Sequence, residues 1–348
     1  MEQSRNVTID LIKGVAVILV IWGHFIQFST AGNYDFYGDF VFKLIYSFHM
    51  PLFAMISGYL FYNSLKKRTL KQAIGSRVKG LLWPVLLWGT IRYGIDIILQ
   101  IIDGMFVLSV SDWWYYITGT FLWFFWSIFA ASFCVSVVMK ILPEKLQKIG
   151  LIAAFWAMYL LPNSSGNLTL YPYFIIGFWA KEKEKAWKPY QEKFLCISAI
   201  SAVIWGFMFG GKEYYAEEIT FLESEYGYIV QMGLEIYEFL IGFFGSIAVI
   251  GGLRWAAMRF SGRSVETICY FGRNCMQIYI LQTFAFWAWP RIWNRVVGKL
   301  GFNPLLANIF LYWIITLVMS LILLWLLKKI IQCIKREPHL HMFLFGRQ

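Results

Sequence analysis

The chain has 348 residues, of which 59% are apolar, 20% aromatic and only 15% charged, and its formal net charge is +11. A soluble core cannot absorb that much apolar surface, so composition excludes an ordinary water-soluble domain and points to a polytopic helical membrane protein. The positive charge would suit a nucleic-acid ligand in a soluble protein, but here the basic residues cluster in short links between apolar runs, which makes them topological signals and leaves no nucleic-acid partner.

The first apolar run, 7–29, is as long as a membrane-crossing helix, which needs ~20 mostly apolar residues. It carries Asp10, Lys13 and His24, although ionisable groups inside such a helix cost roughly 2.5–3.5 kcal/mol each on insertion scales. Lys13 and His24 lie almost three helical turns apart, on one face and roughly 16 Å apart along the axis. Asp10 sits one turn before Lys13 on the same side. That face is expected to look into a protein interior or a wet cavity. No cleavable signal peptide is expected, because the run is too long and carries charge.

Ten spans follow from the hydropathy pattern: 7–29, 40–62, 78–101, 113–139, 149–162, 168–180, 194–210, 228–253, 267–289 and 305–331. The fifth and sixth are short and flank the turn-like 162–166, so they are either two short spans or one broken element. The second, fourth, sixth and eighth links and the tail are rich in Lys and Arg, and 211–226 is acidic. Alternation over ten spans puts both termini in the cytoplasm, against one basic exception at Arg291, Arg295 and Lys299. The expected fold is all-α, a polytopic integral membrane protein of about ten transmembrane helices forming one membrane-embedded domain over 1–348. Cys134, Cys196, Cys269, Cys275 and Cys333 show no CxxC spacing, so neither a disulfide framework nor a metal site is expected.

Several of these residues can carry chemistry. An intramembrane His24 is either a packing histidine bonded to a carbonyl or a reaction centre, and in a membrane span the functional reading leads. Its imidazole can take a proton from a hydroxyl near neutral pH. Asp10 either caps the helix and neutralises Lys13 or acts with it. In the second span, His49 comes to a depth near that of His24, and Pro51 should kink the helix and free the Ser47 carbonyl. Ser57-Gly58 reads first as a small-residue packing patch, since no GxSxG elbow surrounds the serine. Arg77 and Lys79 stand at a membrane mouth, either as positive-inside anchors or as a phosphate clamp for an anionic cofactor. Trp113, Trp114, Tyr115, Tyr116, Trp287, Trp289 and Trp293 form an interfacial belt or, in part, a stacking platform for a sugar.

In chain order these stretches resemble the acyltransferase-3 family of bacterial integral membrane acyltransferases. Lys13-x10-His24, preceded by Asp10 and followed by Gly14, is similar to the family's opening basic-x10-His motif. Phe53–Tyr59 (FAMISGY), Arg77 through Pro84 and Trp88, Leu122-Trp123-Phe124-Phe125, Tyr171 to Gly177 (YPYFIIG) and Phe271 to Gln282 resemble later motifs. The HMPLF wording around His49 leans toward sugar O-acetylases. Lysine replaces the family's usual arginine at position 13, and Cys275 and Gln282 stand where the family has serine and histidine, so catalysis is not placed at that last motif. With no appended extracytoplasmic domain expected, peptidoglycan is a less favoured acceptor.

What the resemblance implies is an acyl-CoA-dependent O-acetyltransferase of the bacterial inner membrane. Acetyl-CoA is its donor substrate, and a lipid-linked or cell-surface glycan its acceptor, with membrane lipids around it and no metal. His24 is the general base or transient acyl carrier. Lys13, held by Asp10, orients the donor or stabilises oxyanion charge. Donor phosphates are expected near Arg77, Lys79 and Arg273, with His49, Ser57 and Trp123 completing the substrate-binding set. Two alternatives remain: a transporter or flippase using His24, Lys13 and Asp10 as a proton relay, and an acyltransferase for succinyl or small-metabolite substrates.

Overall fold

The computed structural model describes residues 6–32, 34–105, 107–118, 122–161, 164–190, 193–210 and 228–346. All regular structure among them is helical. The first half comprises α1 (Val7–Phe28), α2 (Phe40–Tyr46), α3 (His49–Lys66), α4 (Leu70–Arg77), a π-helical turn at Val78–Leu82, α5 (Trp83–Ile102), α6 (Val110–Thr118), α7 (Trp123–Ile141) and α8 (Glu144–Ala157). The second comprises α9 (Ser164–Glu182), α10 (Glu184–Trp187), α11 (Phe194–Phe209), α12 (Tyr228–Arg259), α13 (Arg263–Arg273), α14 (Cys275–Leu300), α15 (Ile309–Ile334) and α16 (Pro338–Phe345). The acidic link at 211–226 lies outside the described residues, as do Pro162 and Asn163 of the expected turn.

Six helical stretches among the described residues are long and apolar enough to cross a bilayer: Val7–Phe28, Phe40–Lys66, Leu70–Ile102, Trp123–Ile141, Met232–Arg259 and Ile309–Ile334. A seventh exists if Glu184–Tyr190 and Phe194–Phe209 form one span. Three expected spans are broken. The second breaks at Ser47-Phe48 rather than bending at Pro51, because Pro51 falls in the first turn of α3, where a missing N–H costs little. The fourth is covered by two helices, α6 ending at Thr118 and α7 starting at Trp123. The ninth divides at Asn274, which is 2% exposed and whose side-chain amide donates to the Tyr270 carbonyl at 2.7 Å.

Contacts group the chain into two compact units, Met1–Phe53 with Ala186–Gln332, and Ala54–Lys185 with Cys333–Gln348. In the first, α1 packs along α13 and α14, and α11 along α12. Its core joins Val17, Ile21 and Phe25 of α1 to Phe271, Ile278 and Phe286 and to Leu324, Leu327 and Ile331 of α15. Asn6 caps the start of α1, its side chain accepting from the Ile9 amide. At the other end the Ser29 carbonyl accepts from Trp293 and Asn303. Asp39, 2% exposed, accepts from the Phe42 amide, the Tyr34 hydroxyl and the Trp313 indole, all within 2.8 Å. Burial, then that bond to Asp39, push the Tyr34 hydroxyl well above its ordinary pKa.

Glycines set the closest helix approaches. A Cβ on Gly14 would lie 2.0 Å from the Ile268 carbonyl oxygen, and one on Gly272 1.8 Å from that of Asp10. Helix α1 and helix α13 therefore meet backbone to backbone, each contributing the glycine that admits the other. The second unit repeats the device between α3 and α9, where a Cβ on Gly58 would lie 1.9 Å from the Phe174 oxygen and one on Gly177 1.8 Å from that of Met55. The Phe61, Phe174 and Phe178 rings pack beside that crossing. In the same unit α16 is pinned to α5 by the Trp83 and Trp88 indoles, which donate to the Phe343 and Leu344 carbonyls at 2.6 and 2.7 Å.

These contacts predict that Gly272→Val and Gly177→Val each destabilise by about 1–3 kcal/mol, the usual cost of overpacking, and lower the unfolding temperature in nanodiscs. Gly206→Ala, at a helical position with nothing within 4 Å, should be neutral or slightly stabilising. Equal melting of all three proteins would refute the crossings.

Candidate active site

Helix α1 is unbroken from Val7 to Phe28, so it carries its polar residues at fixed levels. In its first turns Lys13 Nζ lies 3.5 Å from Asp10 Oδ1, and Arg273 Nη1 lies 4.0 Å from Asp10 Oδ2. The Gly14–Gly272 crossing places Arg273 there, at the last residue of α13. Two cations share one carboxylate, which leaves this cluster an excess positive charge able to hold an anionic group.

Eleven residues on, about 16 Å along the axis, His24 lies in an aromatic nest. Its ring centroid is 5.1 Å from that of Phe286, 5.8 Å from Phe28 and 6.5 Å from Tyr46. Nδ1 is 3.4 Å from Gln27 Oε1 and 3.3 Å from the Tyr46 hydroxyl, which also donates to Gln27 Oε1 at 3.4 Å. An amide oxygen only accepts, so the triangle is satisfied when Nδ1 carries the proton and Nε2 keeps its lone pair. Tyr46 can lie this close because Gly23 faces it; a Cβ there would stand 2.9 Å from its ring.

His49, 4% exposed, meets the other side of Tyr46 with ring centroids 4.7 Å apart. At the break between α2 and α3 the Ile45 carbonyl accepts from the Phe48 amide at 3.4 Å and from the His49 side chain, whose Nδ1–H donates to it at 2.9 Å. A carbonyl accepts only, so His49 too holds its proton on Nδ1. The two histidines are thus brought together around one tyrosine.

Lys13 and His24 do not share a cluster. Val17 and Val20 lie between them on the same face, 5% and 7% exposed, so that face is polar at its ends and apolar in the middle. A lysine side chain cannot reach across that length, so the Lys13 ammonium stands at the level of Asp10 and Arg273 and not beside His24.

The remaining candidates belong to the second unit. Arg77 and Lys79 do not face one site, because residues two apart on a helix point apart. The Arg77 guanidinium lies over the Phe61 ring at 4.4 Å. Lys79 instead lines an open pocket of about 410 Å³ with Arg68, Gln72, Gly75, Ser76 and Gly346. Arg68 is oriented there by the Ser64 and Ser76 hydroxyls at 2.9 and 2.7 Å. Ser57 is half-buried beside the crossing glycine, and Trp123 opens α7 with its ring 6.2 Å from that of Phe124. Sequence reasoning missed Gln27, Tyr46, Phe286 and Arg68. Gln27 was readable, being one turn from His24; the others depend on tertiary packing.

Fold and site together define a helical membrane protein with an imidazole held inside one of its candidate spans. A family model described as an acyltransferase domain matches residues 6–329, and the chain belongs to this acyltransferase-3 family. It is 30% identical to nodulation protein NolL of Mesorhizobium japonicum over 229 residues, which are 62% of this chain and 59% of that protein. It is 32% identical to nodulation protein NolL of Sinorhizobium fredii over 181 residues, 51% of this chain and 49% of that one. The chain thus spans about half the length of the relatives it matches. No solved structure matches it.

The chain has only four histidines, so ¹⁵N-histidine NMR can resolve them. Where the imidazoles are neutral, His24 and His49 should both show protonated Nδ1 and unprotonated Nε2. Combining Tyr46→Phe with Gln27→Leu should turn His24 into a mixture of tautomers and leave His49 as it was. A His24 with its proton on Nε2 in the wild type would contradict the site as described.

Proposed function

We propose that the protein is an acyl-CoA-dependent O-acyltransferase of the bacterial inner membrane. It moves an acetyl group from cytoplasmic acetyl-CoA to a hydroxyl of a cell-surface or lipid-linked glycan, in the manner of sugar O-acetylases. In this reading the single domain 1–348 crosses the membrane ten times, with both termini in the cytoplasm. The observation that carries the proposal is His24, an imidazole within a candidate span whose Nδ1 is engaged by Gln27 and Tyr46 and whose Nε2 is left to act.

As a general base, Nε2 takes the proton of the acceptor hydroxyl while its oxygen attacks the thioester carbonyl. The tetrahedral adduct collapses, the C–S bond breaks, and the imidazolium returns the proton to the departing CoA thiolate. In the covalent variant Nε2 attacks the thioester carbonyl, the C–S bond breaks and the CoA thiolate leaves; the acceptor oxygen then attacks the acyl-imidazole, the C–N bond breaks, and the acceptor's proton passes by way of Nε2 to the thiolate. Lys13 and Arg273, steadied by Asp10, hold anionic groups of the donor. His49, Ser57 and Trp123 contribute to substrate binding.

Purified protein in nanodiscs, given labelled acetyl-CoA and a glycan acceptor, should release CoA and label the glycan. His24→Ala should lose roughly 10²–10⁴-fold in rate, the usual worth of a positioned acid–base group, while keeping its fold. A folded His24→Ala protein that acetylates at the wild-type rate removes the mechanism. A wild type that releases no CoA favours the proton-relay transporter instead.

A further inference from the structure

Helix α14 and helix α13 before it keep one register against α1. Cys269 donates to the Val7 carbonyl at 3.7 Å, Gly272 faces the Asp10 carbonyl, and Phe286 packs on His24. The offset between partners is the same at each of these contacts, so the helices run side by side in the same direction. In that register Gln282 stands level with Val20, one turn before Phe286 and beyond the Asp10–Lys13–Arg273 cluster.

Gln282 is 2% exposed. Its helical neighbours on the same stripe, Ile278 and Phe286, belong to the apolar cluster that includes Val17 and Ile21. Its Oε1 is buried and accepts no hydrogen bond among the described residues. A buried acceptor without a donor destabilises a fold, and leucine would fill nearly the same space without that penalty. The group therefore fits a ligand that brings its own donor.

We propose that Gln282 is a substrate-binding residue whose Oε1 accepts a hydrogen bond from an amide N–H of the donor's pantetheine arm. The inference rests on the acyl-CoA reading above. With anionic groups of the donor at Lys13 and Arg273 and its thioester at His24, the arm runs along the α1–α14 seam. The arm's secondary amides then fall at the intermediate level where Gln282 stands.

The test measures binding of acetyl-CoA, and of analogues with each pantetheine amide N–H replaced in turn by an ester oxygen, to the full-length protein in nanodiscs. Wild type should bind one analogue about tenfold more weakly than acetyl-CoA, the order expected for one hydrogen bond. Gln282→Leu should bind acetyl-CoA itself about tenfold more weakly, no longer distinguish that analogue, and unfold at the same or a higher temperature. Gln282→Met provides the same comparison in a second apolar side chain. If wild type binds acetyl-CoA but treats all analogues alike, or if both variants keep wild-type affinity and discrimination, Gln282 is a structural residue only. If wild type binds no acetyl-CoA, the acyl-CoA reading itself fails and this inference falls with it.

Discussion

The first unit depends on one approach of two backbones, Gly14 of α1 against Ile268 and Gly272 of α13 against Asp10. In lipid there is little hydrophobic drive to bring helices together, so contact must come from packing close enough for dispersion and polar forces to matter. Glycine on both helices admits that distance. Everything placed by α13 and α14 inherits it: Arg273 reaches the Asp10 carboxylate, Phe286 reaches the His24 ring, and Gln282 is level with Val20. A side chain at either glycine would push the helices apart by more than these contacts can stretch.

The second unit uses the same device with different residues. Gly58 and Gly177 are reciprocal partners, just as Gly14 and Gly272 are. The motif stretches FAMISGY and YPYFIIG are thus two halves of one helix crossing, and the glycines of the first and last motifs are two halves of another. Ordered short motifs in a membrane enzyme are easily read as pieces of an active site. Here at least four of them encode how close two helices come, and the chemistry-bearing side chains ride on those approaches.

Much of this was legible in the sequence, and the rest failed for identifiable reasons. The helical character of the chain, the unbroken opening helix and the spacing of Lys13 from His24 follow from hydropathy and a fixed rise per residue. Gly58 was readable as a packing residue, because small residues in apolar helices have that use. The breaks at Ser47-Phe48 and at Asn274 were not readable; at each a side chain bonds a carbonyl four residues back, His49 to Ile45 and Asn274 to Tyr270, which no hydropathy pattern announces. Arg77 and Lys79 were paired because they are near in sequence, whereas a helix sends residues two apart in different directions. Tyr46 and Phe286 reach His24 only through tertiary packing, and no local pattern announces that.

The division of α1 into a charged end, an apolar middle and an aromatic imidazole end has a chemical consequence. A thioester is open to attack by water as well as by an alcohol, and an acyltransferase must favour the alcohol. Phe28, Phe286 and Tyr46 pack around the His24 ring, and the buried Val17 and Val20 lie below it, so the imidazole sits in largely apolar surroundings. The same apolar middle cannot accept phosphates, so the part of this helix able to hold an anionic group is its Lys13 end. Helix length then becomes a ruler. Moving the histidine by one turn in either direction would shift it by about 5 Å relative to the cations, a larger mismatch than a reacting geometry tolerates.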